Sequence, residues 1–541
     1  MTSFLRRLAA LSLLLAVVAP ALVAPAVART PGAPPDSGPG RPTYSEFTYE
    51  RLRVPMRDGV ELSVDIWRPV TPKGVDVPVI LSLTPYHVLY KALDPNETNL
   101  PSGDAALFVP KGYAYARADV RGTYNSGGCW DYGGVKERQD GYDLVEWLGT
   151  REWSNGKVAM TGGSYDGTTA NAAAVEQPPH LATIVPVSAI SRWWGYAYQQ
   201  GARATYSGES LDIDPPAVTP TDFQFGYGFL PPPDPGALTH ANQIAMRWNL
   251  CDRVEQTLRG YNEQPDYDRF WKERDYLRLA HKVQVPVLVS HGHLDFNVKT
   301  WEGTAWFNAL DTEKAMVLGQ WPHASPRGKY PEWDTFLERW FERWLYGVEN
   351  GVEDEPGVRV QTNDKEWHVQ NDWTPRKVAR LPLRSEDKQR TYFDDGTMTE
   401  SEMLRTPPSN ERWVGAEIPN SSGIRIAGRP VLRLSASSDR SSTHFVAILC
   451  DVDPSGRCGV ISRAFMNARY RDGLHKGKDL EPGKRYTFDL EFIDKDHIVA
   501  ADHHLEVRIS SSSNTWVLPD RQRATNTLFL RDSQLLLPLG P

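Results

Sequence analysis

With 541 residues, 40% of them apolar, the chain is long enough to bury two or three packed cores. Its formal net charge is −8 and no stretch is a long basic run, which argues against nucleic acid as a partner. Downstream of Val23 no segment is apolar for long enough to span a bilayer. Among the 18 Trp and 22 Tyr most are expected in cores and a few around a substrate pocket.

The N-terminus reads as an export signal. Arg6 and Arg7 precede an apolar run over 8–23, and Ala26-Val27-Ala28 closes it in a small-x-small pattern. Cleavage is expected near Ala28, making 1–28 a signal peptide and 29–43 a flexible lead-in to a secreted, extracellular protein. The arginine pair does not distinguish the twin-arginine route from the general secretory one. Four cysteines in an exported chain allow two disulfides. Cys450 and Cys458 flank the turn Asp453-Pro454-Ser455-Gly456, so pairing across it is easy and leaves Cys129 and Cys251 to each other. Four buried thiols is the alternative.

Residues 60–67 alternate at period two after the turn Arg57-Asp58-Gly59, as a strand does. Residues 77–83 are continuously apolar, as in a strand buried on both faces. A strand at 113–120, helical spacing over 140–148 and short strands at 157–161, 285–290 and 315–318 follow. This alternation predicts a mostly parallel, doubly wound α/β sheet built from 44–189 and 285–350. Residues 190–284 interrupt it with aromatics, acids, Pro231-Pro232-Pro233 and helical spacing around 242–258, and read as a helical cap inserted over the C-terminal edge of the sheet. A last helix is expected over 336–346. From 351 to the C-terminus, short alternating strands and turn signals predict an all-β sandwich, a jelly roll.

The segment Thr161-Gly162-Gly163-Ser164-Tyr165-Asp166-Gly167 turns a short strand into a helix expected to start near Thr168. Such a turn lifts a serine hydroxyl above the strand ends, beside helix N–H groups that stabilise negative charge. The pattern departs from G-x-S-x-G, because Asp166 takes the usual glycine place and Gly167 comes one residue late. Standing alone, it is also readable as an ordinary Gly-rich turn.

A serine nucleophile needs a base, and the base needs an acid to fix its tautomer. In α/β hydrolases the chain order is Ser, Asp or Glu, His. The strand at 285–290 runs into His291-Gly292-His293-Leu294-Asp295, and that at 315–318 into Gln320-Trp321-Pro322-His323. Both residues thus fall at the C-terminal sheet edge, making Ser164, Asp295 and His323 the candidate nucleophile, acid and base. Later histidines (His368, His444, His475, His497, His503, His504) lie in the β-rich region and fit less well. Reading His291, His293 and Asp295 as metal ligands is weaker, since no further ligand cluster adjoins them, and neither metal nor cofactor is expected. A tetrahedral intermediate requires two donors aimed at its oxyanion. The Tyr165 backbone N–H is one, and the loop Thr84-Pro85-Tyr86 is where the second belongs. By residue type alone, Tyr86 is first a packed tyrosine.

These residues resemble the Xaa-Pro dipeptidyl-peptidases and their relatives, the cocaine esterases and α-amino-acid ester hydrolases, from about Phe47 to the C-terminus. The landmarks are Met56-Arg57-Asp58-Gly59, Pro85-Tyr86, Asp119-Val120-Arg121-Gly122-Thr123, Gly162-x-Ser164-Tyr165-x-Gly167 and Asp451-Val452-Asp453-Pro454. The late Gly167 is itself a mark of that family. The resemblance implies a Ser164-Asp295-His323 triad, an oxyanion hole of the Tyr86 hydroxyl and Tyr165 amide, a helical cap and a jelly roll. The segments at 190–196 and 291–299 are similar to the peptidase branch, which implies that Trp193, Tyr196 and Asn297 line a proline pocket. Two features depart from it: the chain reaches its first strand without the extra N-terminal helical domain of the lactic-type enzymes, and Ala197 replaces a second tyrosine. Binding a free α-ammonium requires a buried carboxylate, for which Glu209, Asp212 and Asp214 are candidates beside their default role as surface acids. The expected function is a secreted serine hydrolase releasing Xaa-Pro dipeptides from peptide N-termini. The alternative is an esterase or acylase acting on small acyl or amino-acid esters.

Overall fold

The turn at Asp58-Gly59 joins β1 (Phe47–Pro55) to β2 (Glu61–Pro69) as an antiparallel hairpin. There follow β3 (Val77–Thr84), β4 (Ala114–Asp119), β5 (Ser154–Gly163) and β6 (Leu181–Val187), then a two-residue hairpin of β7 (Tyr198–Gln199) and β8 (Ala202–Arg203). β9 (Val287–Gly292), β10 (Lys314–Gly319), β11 (Val358–Gln361) and β12 (Trp367–Gln370) complete the first half. This computed structural model describes residues 44–87, 103–204, 251 and 265–540, except 324, 376, 385–386, 406–411 and 420.

Apart from the small hairpin, these strands form one ten-stranded sheet in the order β1-β2-β4-β3-β5-β6-β9-β10-β11-β12. From β4 to β11 every neighbouring pair is parallel. β3 is buried along its whole length, with Val79, Leu81 and Leu83 in one core and Ile80 in the other. Both faces are therefore covered, which is why its sequence is apolar apart from Ser82 and Thr84. The helices Val135–Gly149 and Tyr165–Ala174 cover one face through Leu144, Val145, Leu148 and the alanines 170 and 172–174. On the other lies the helix Trp333–Phe341, with Trp333, Phe336, Leu337, Trp340 and Phe341 turned inward.

Several expectations needed adjusting. The helix after Ser164 starts at Tyr165 rather than near Thr168, because Ser164 itself makes the turn at φ 62°. β6 is not among the expected strands: it carries Pro186, a residue rare inside strands, yet pairs parallel with β5. β11 pairs parallel with β10 and β12 antiparallel with β11, so two strands beyond residue 351 extend the large sheet rather than the sandwich. Within 190–284 the described residues include the helices Trp193–Ala197 and Arg269–Glu273, whereas the triple proline, most of 242–258 and the acids Glu209, Asp212 and Asp214 lie outside the described residues.

The C-terminal strands are β13 (Lys377–Pro382), β14 (Arg390–Asp394), β15 (Val414–Ile418), β16 (Arg425–Gly428), β17 (Val431–Ser438) and β18 (His444–Val452). After them come β19 (Cys458–Asn467), β20 (Tyr486–Glu491), β21 (Lys495–Ile498), β22 (His504–Ser510), β23 (Ala524–Leu528) and β24 (Gln534–Leu539). They form an eight-stranded sheet and a four-stranded one, β15-β22-β18-β19. Leu432, Leu434 and Phe488 from the first meet Phe445, Ala447 and Val507 from the second in a shared core, the sandwich expected of a jelly roll. Cys450–Cys458 and Cys129–Cys251 are both disulfides.

The sandwich presses on the edge of the large sheet where the candidate residues lie. Lys495 Nζ donates to the His293 carbonyl, and Gln320 Nε2 donates to the Asp496 carbonyl at 3.0 Å. Phe296 packs against Trp516 with ring centroids 5.2 Å apart. The loops after β9 and β10 are thus held from outside their own domain.

Candidate active site

Ser164 sits between the last residue of β5 and the helix Tyr165–Ala174, at φ 62° and ψ −121°. A non-glycine residue at positive φ is strained by roughly 1–3 kcal/mol and persists only where its surroundings hold it. Here the Ser164 amide donates to the Val187 carbonyl of β6 at 2.8 Å, while its carbonyl accepts from Thr168 N at 3.0 Å. The late glycine has a steric cause. A Cβ on Gly167 would lie 2.7 Å from the Gly162 carbonyl oxygen and 3.0 Å from Val187 N, so there is no room for a side chain where the helix passes the strand at that residue. Asp166 points inward instead and accepts from Ser82 Oγ at 3.2 Å.

β3 ends in Thr84, whose Oγ1 accepts the Tyr86 amide at 3.0 Å and turns that side chain over the sheet edge. The Tyr86 hydroxyl then lies 3.2 Å from Ser164 Oγ and 3.4 Å from Tyr165 N. The phenol donates to the serine oxygen and itself accepts from the Tyr165 amide, so one phenolic and one backbone donor meet beside Ser164 Oγ. The neighbouring His87 is buried with Nδ1 2.8 Å from Asp119 Oδ1, anchoring the loop from behind.

Asp295 and His323 follow β9 and β10, two and three strands along from β5 at the same edge. His323 Nδ1 is 2.7 Å from Asp295 Oδ2. The other carboxylate oxygen accepts from the amides of Asn297 at 3.1 Å and Val298 at 2.9 Å. Asp295 is fully buried, and burial pushes its carboxyl up. The charge of His323 and hydrogen bonds from His291 and His323 outweigh that and hold it well below the usual carboxylate range. His291 donates Nε2–H to the Val298 carbonyl at 2.7 Å, with the same nitrogen 3.4 Å from Asp295 Oδ2. His323 is more open, with 28% of its side chain exposed, as a group that must meet substrate requires.

Trp193, Tyr196 and Asn297 are brought together as well. The Tyr196 hydroxyl donates to Asn297 Oδ1 at 3.1 Å, and Trp193 meets Tyr196 edge-on with centroids 5.8 Å apart. Trp193 is fully buried, touches the Tyr165 ring at 5.4 Å, and donates Nε1–H to the Tyr276 hydroxyl at 3.0 Å. The aromatic wall therefore runs continuously from Tyr165 to the Asp295 loop. Lys299 braces it. Its Nζ donates to the Tyr196 carbonyl at 3.2 Å and lies 5.5 Å from the Tyr196 ring centre, and burial pushes it down to about 8.

Sequence reasoning missed Tyr276, Lys299, Glu137 and the supporting role of His291. No local pattern marks Tyr276 or Glu137, since each acts on a residue distant in the chain. His291 and Lys299 both stand in the 291–299 segment, and their nearness to Asp295 and Asn297 was the available signal. Among the described residues, no group of three His, Cys, Asp or Glu side chains is placed to hold a metal ion.

Residues 58–325 match the X-Pro dipeptidyl-peptidase (S15 family) profile, and residues 350–535 match the X-Pro dipeptidyl-peptidase C-terminal non-catalytic domain. A Bacillus anthracis protein provisionally named an Xaa-Pro dipeptidyl-peptidase is 29% identical over 93% of this chain and 90% of its own length. The cocaine esterase of Rhodococcus sp. is 25% identical over 88% of this chain and 92% of its own. In fold, the chain is similar to an α-amino acid ester hydrolase (TM-score 0.71, 21% identity, covering 94% of this chain and 100% of that one). It is likewise similar to a CocE/NonD family hydrolase from Staphylococcus aureus (TM-score 0.73, 18% identity, covering 92% and 94%). An α/β-hydrolase sheet, a β-sandwich resting on the edge that carries Asp295 and both family profiles in sequence order place this chain in the X-Pro dipeptidyl-peptidase (S15) family of hydrolases.

Proposed function

We propose that the protein is a serine hydrolase that releases Xaa-Pro dipeptides from peptide N-termini through an acyl-enzyme. The observation that carries this reading is the seat of Ser164, at a strained strand-to-helix turn with the Tyr86 hydroxyl 3.2 Å from its Oγ and the Tyr165 amide beside it. Ser164 Oγ attacks the scissile carbonyl while His323 takes its proton through Nε2, because Nδ1 is committed to Asp295. The negative charge that develops on the carbonyl oxygen falls between the Tyr86 hydroxyl and the Tyr165 amide. His323 then protonates the leaving amine, and water resolves the acyl-enzyme by the same steps in reverse.

Substrate choice would follow from the Trp193–Tyr196–Asn297 wall. Flat aromatic faces suit a pyrrolidine ring, and an amide beside them suits a peptide carbonyl. The carboxylate for the free α-ammonium falls to Glu209, Asp212 or Asp214. Export follows from the N-terminal pattern ending at Ala28, and two disulfides accord with an oxidising compartment. A second reading, an esterase or acylase of small esters, is favoured by the likeness to a cocaine esterase over most of both chains.

Initial rates on Gly-Pro and Ala-Pro anilides, their N-acetylated forms and p-nitrophenyl butyrate separate the two. Fast turnover of the free-amine anilides, lost on acetylation, is expected of the peptidase. Turnover of the ester alone would leave the serine chemistry standing and transfer the assignment to the esterase.

A further inference from the structure

Behind the Tyr165 amide lies a buried carboxylate that the acyl-transfer steps do not use. Tyr165 is 1% exposed, and its hydroxyl is held from two sides: it donates to Glu137 Oε2 at 2.6 Å and accepts Nε1–H of Trp130 at 2.8 Å. Glu137 is 2% exposed, on the helix Val135–Gly149, and its Oε1 accepts the Asp131 amide at 3.0 Å. Trp130 is itself fixed, stacked on Tyr132 with centroids 4.3 Å apart. The same loop receives the Tyr276 hydroxyl on the Gly133 carbonyl at 2.7 Å, and Tyr276 in turn accepts from Trp193. Gly133 is required there, since a Cβ would lie 2.0 Å from Trp193 Nε1.

We propose that Glu137 is a positioning residue for acyl transfer: by fixing the Tyr165 phenol, together with Trp130, it fixes the direction of the Tyr165 backbone N–H at the oxyanion. The physical reason is the strain next door. Ser164 holds φ 62° immediately before Tyr165, a strain that persists only where the surroundings hold it: Thr168 N and Oγ1 tie the Ser164 carbonyl at 3.0 and 2.9 Å, and the phenol ties Tyr165 from its other end. A phenol gripped at its far end, with its ring against Trp130 at 5.6 Å and Trp193 at 5.4 Å, leaves that amide one orientation. A buried carboxyl group is a costly way to fill a core, and apolar contact alone would have packed the ring. Its charged and titratable neighbours are Asp131, Asp140, Tyr165 and Tyr276, with Arg274 bonded to Asp131 at 3.1 Å. Burial, Asp131 and Asp140 push the Glu137 carboxyl up to about 8, against the hydrogen bond from Tyr165.

This inference rests on the reading of Ser164 as nucleophile, and the test separates the two. The variants are Glu137→Gln, Tyr165→Phe, their combination, and Ser164→Ala, each assayed as the mature protein with active sites counted by burst titration. Glu137→Gln is expected to lower kcat about tenfold per titrated site, with KM unchanged, on ester and anilide alike. Phenylboronic acid supplies a readout that loss of folded protein does not move. Ser164 Oγ adds to boron as its proton passes to His323, and the tetrahedral adduct uses the oxyanion donors. Its Ki is expected to rise by the same factor as kcat falls. Tyr165→Phe should reproduce both changes, and the double variant should be no worse than the poorer single one. A Glu137→Gln enzyme with full kcat and unchanged Ki, a loss confined to KM, or losses that multiply in the double variant would each overturn the proposal. If Glu137→Gln does not fold, Tyr165→Phe alone decides it by the same two readouts. Hydrolysis surviving in Ser164→Ala would instead remove the reading beneath it.

Discussion

The hydroxyl of Tyr86 lies 3.2 Å from Ser164 Oγ, although the two residues are 78 positions apart and sit on different strand ends. The contact places a phenolic donor where the oxyanion of an attacked carbonyl would form. Tyr86→Phe keeps the ring and its packing but removes that donor. Its expected effect is a fall in kcat of about 10²-fold with little change in KM, read from steady-state kinetics on an activated ester. A variant with wild-type kcat would show that the phenol only packs.

Asp295 is held ionised and fixes the His323 tautomer through Nδ1. Asp295→Asn offers that nitrogen an amide that can present N–H instead of accepting. The expected loss in kcat is about 10³–10⁴-fold with the fold retained, measured beside far-ultraviolet circular dichroism. A loss below tenfold would mean that another residue orients His323.

Gly167 should tolerate no side chain. The atoms closest to an added Cβ are Gly162 O at 2.7 Å, Ala189 Cβ at 3.0 Å and Val187 N at 3.0 Å, two of them backbone and the third a Cβ, so none can swing away. Gly167→Ala is expected to destabilise by about 1–3 kcal/mol and to displace Ser164. Urea unfolding and specific activity check it, and an alanine variant unchanged in both would remove the steric account of the late glycine.

His293 gives a pH dependence with a definite sign. Burial, then the nearby Lys495, pushes its imidazole down to about 3, so it stays neutral when folded and takes a proton more readily when unfolded. Between the unfolded value of about 6.5 and the folded one, the unfolded state binds more protons. The contribution is therefore complete above about pH 6.5 and is lost as pH falls toward 3. His293→Gln should flatten the decline of the urea midpoint between pH 7 and pH 5. An identical slope in the variant would show that other groups set the acid sensitivity.

The two disulfides should differ in weight. Cys129–Cys251 spans 122 residues and Cys450–Cys458 only 8. On loop-closure entropy the first is worth about 5 kcal/mol and the second about 2.5 kcal/mol. Replacing the first pair with serines should lower the melting temperature more than replacing the second. The reverse order would mean that local hairpin geometry outweighs the entropy of the unfolded chain.

By itself the sequence determined the parts that local periodicity and chain order encode. A largely apolar run such as Val77–Thr84 has to be buried on both faces, so a parallel, helix-covered sheet follows from it. A Gly-rich turn before Ser164, and an acid and a histidine just past two later buried strands, placed three candidate residues at one edge. The tertiary structure alone decided what depends on through-space partners. It put β11 and β12 on the large sheet, because β11 pairs with β10 and β12 with β11, not with the strands nearest to them in composition. It also joined Glu137 to Tyr165, Tyr276 to Trp193 and Lys299 to Tyr196, none of which a residue's own neighbours announce. The reason is physical. Burial patterns repeat along the chain and leave a period in the sequence, whereas one hydrogen bond between distant elements leaves only two residues, each ordinary in its own context.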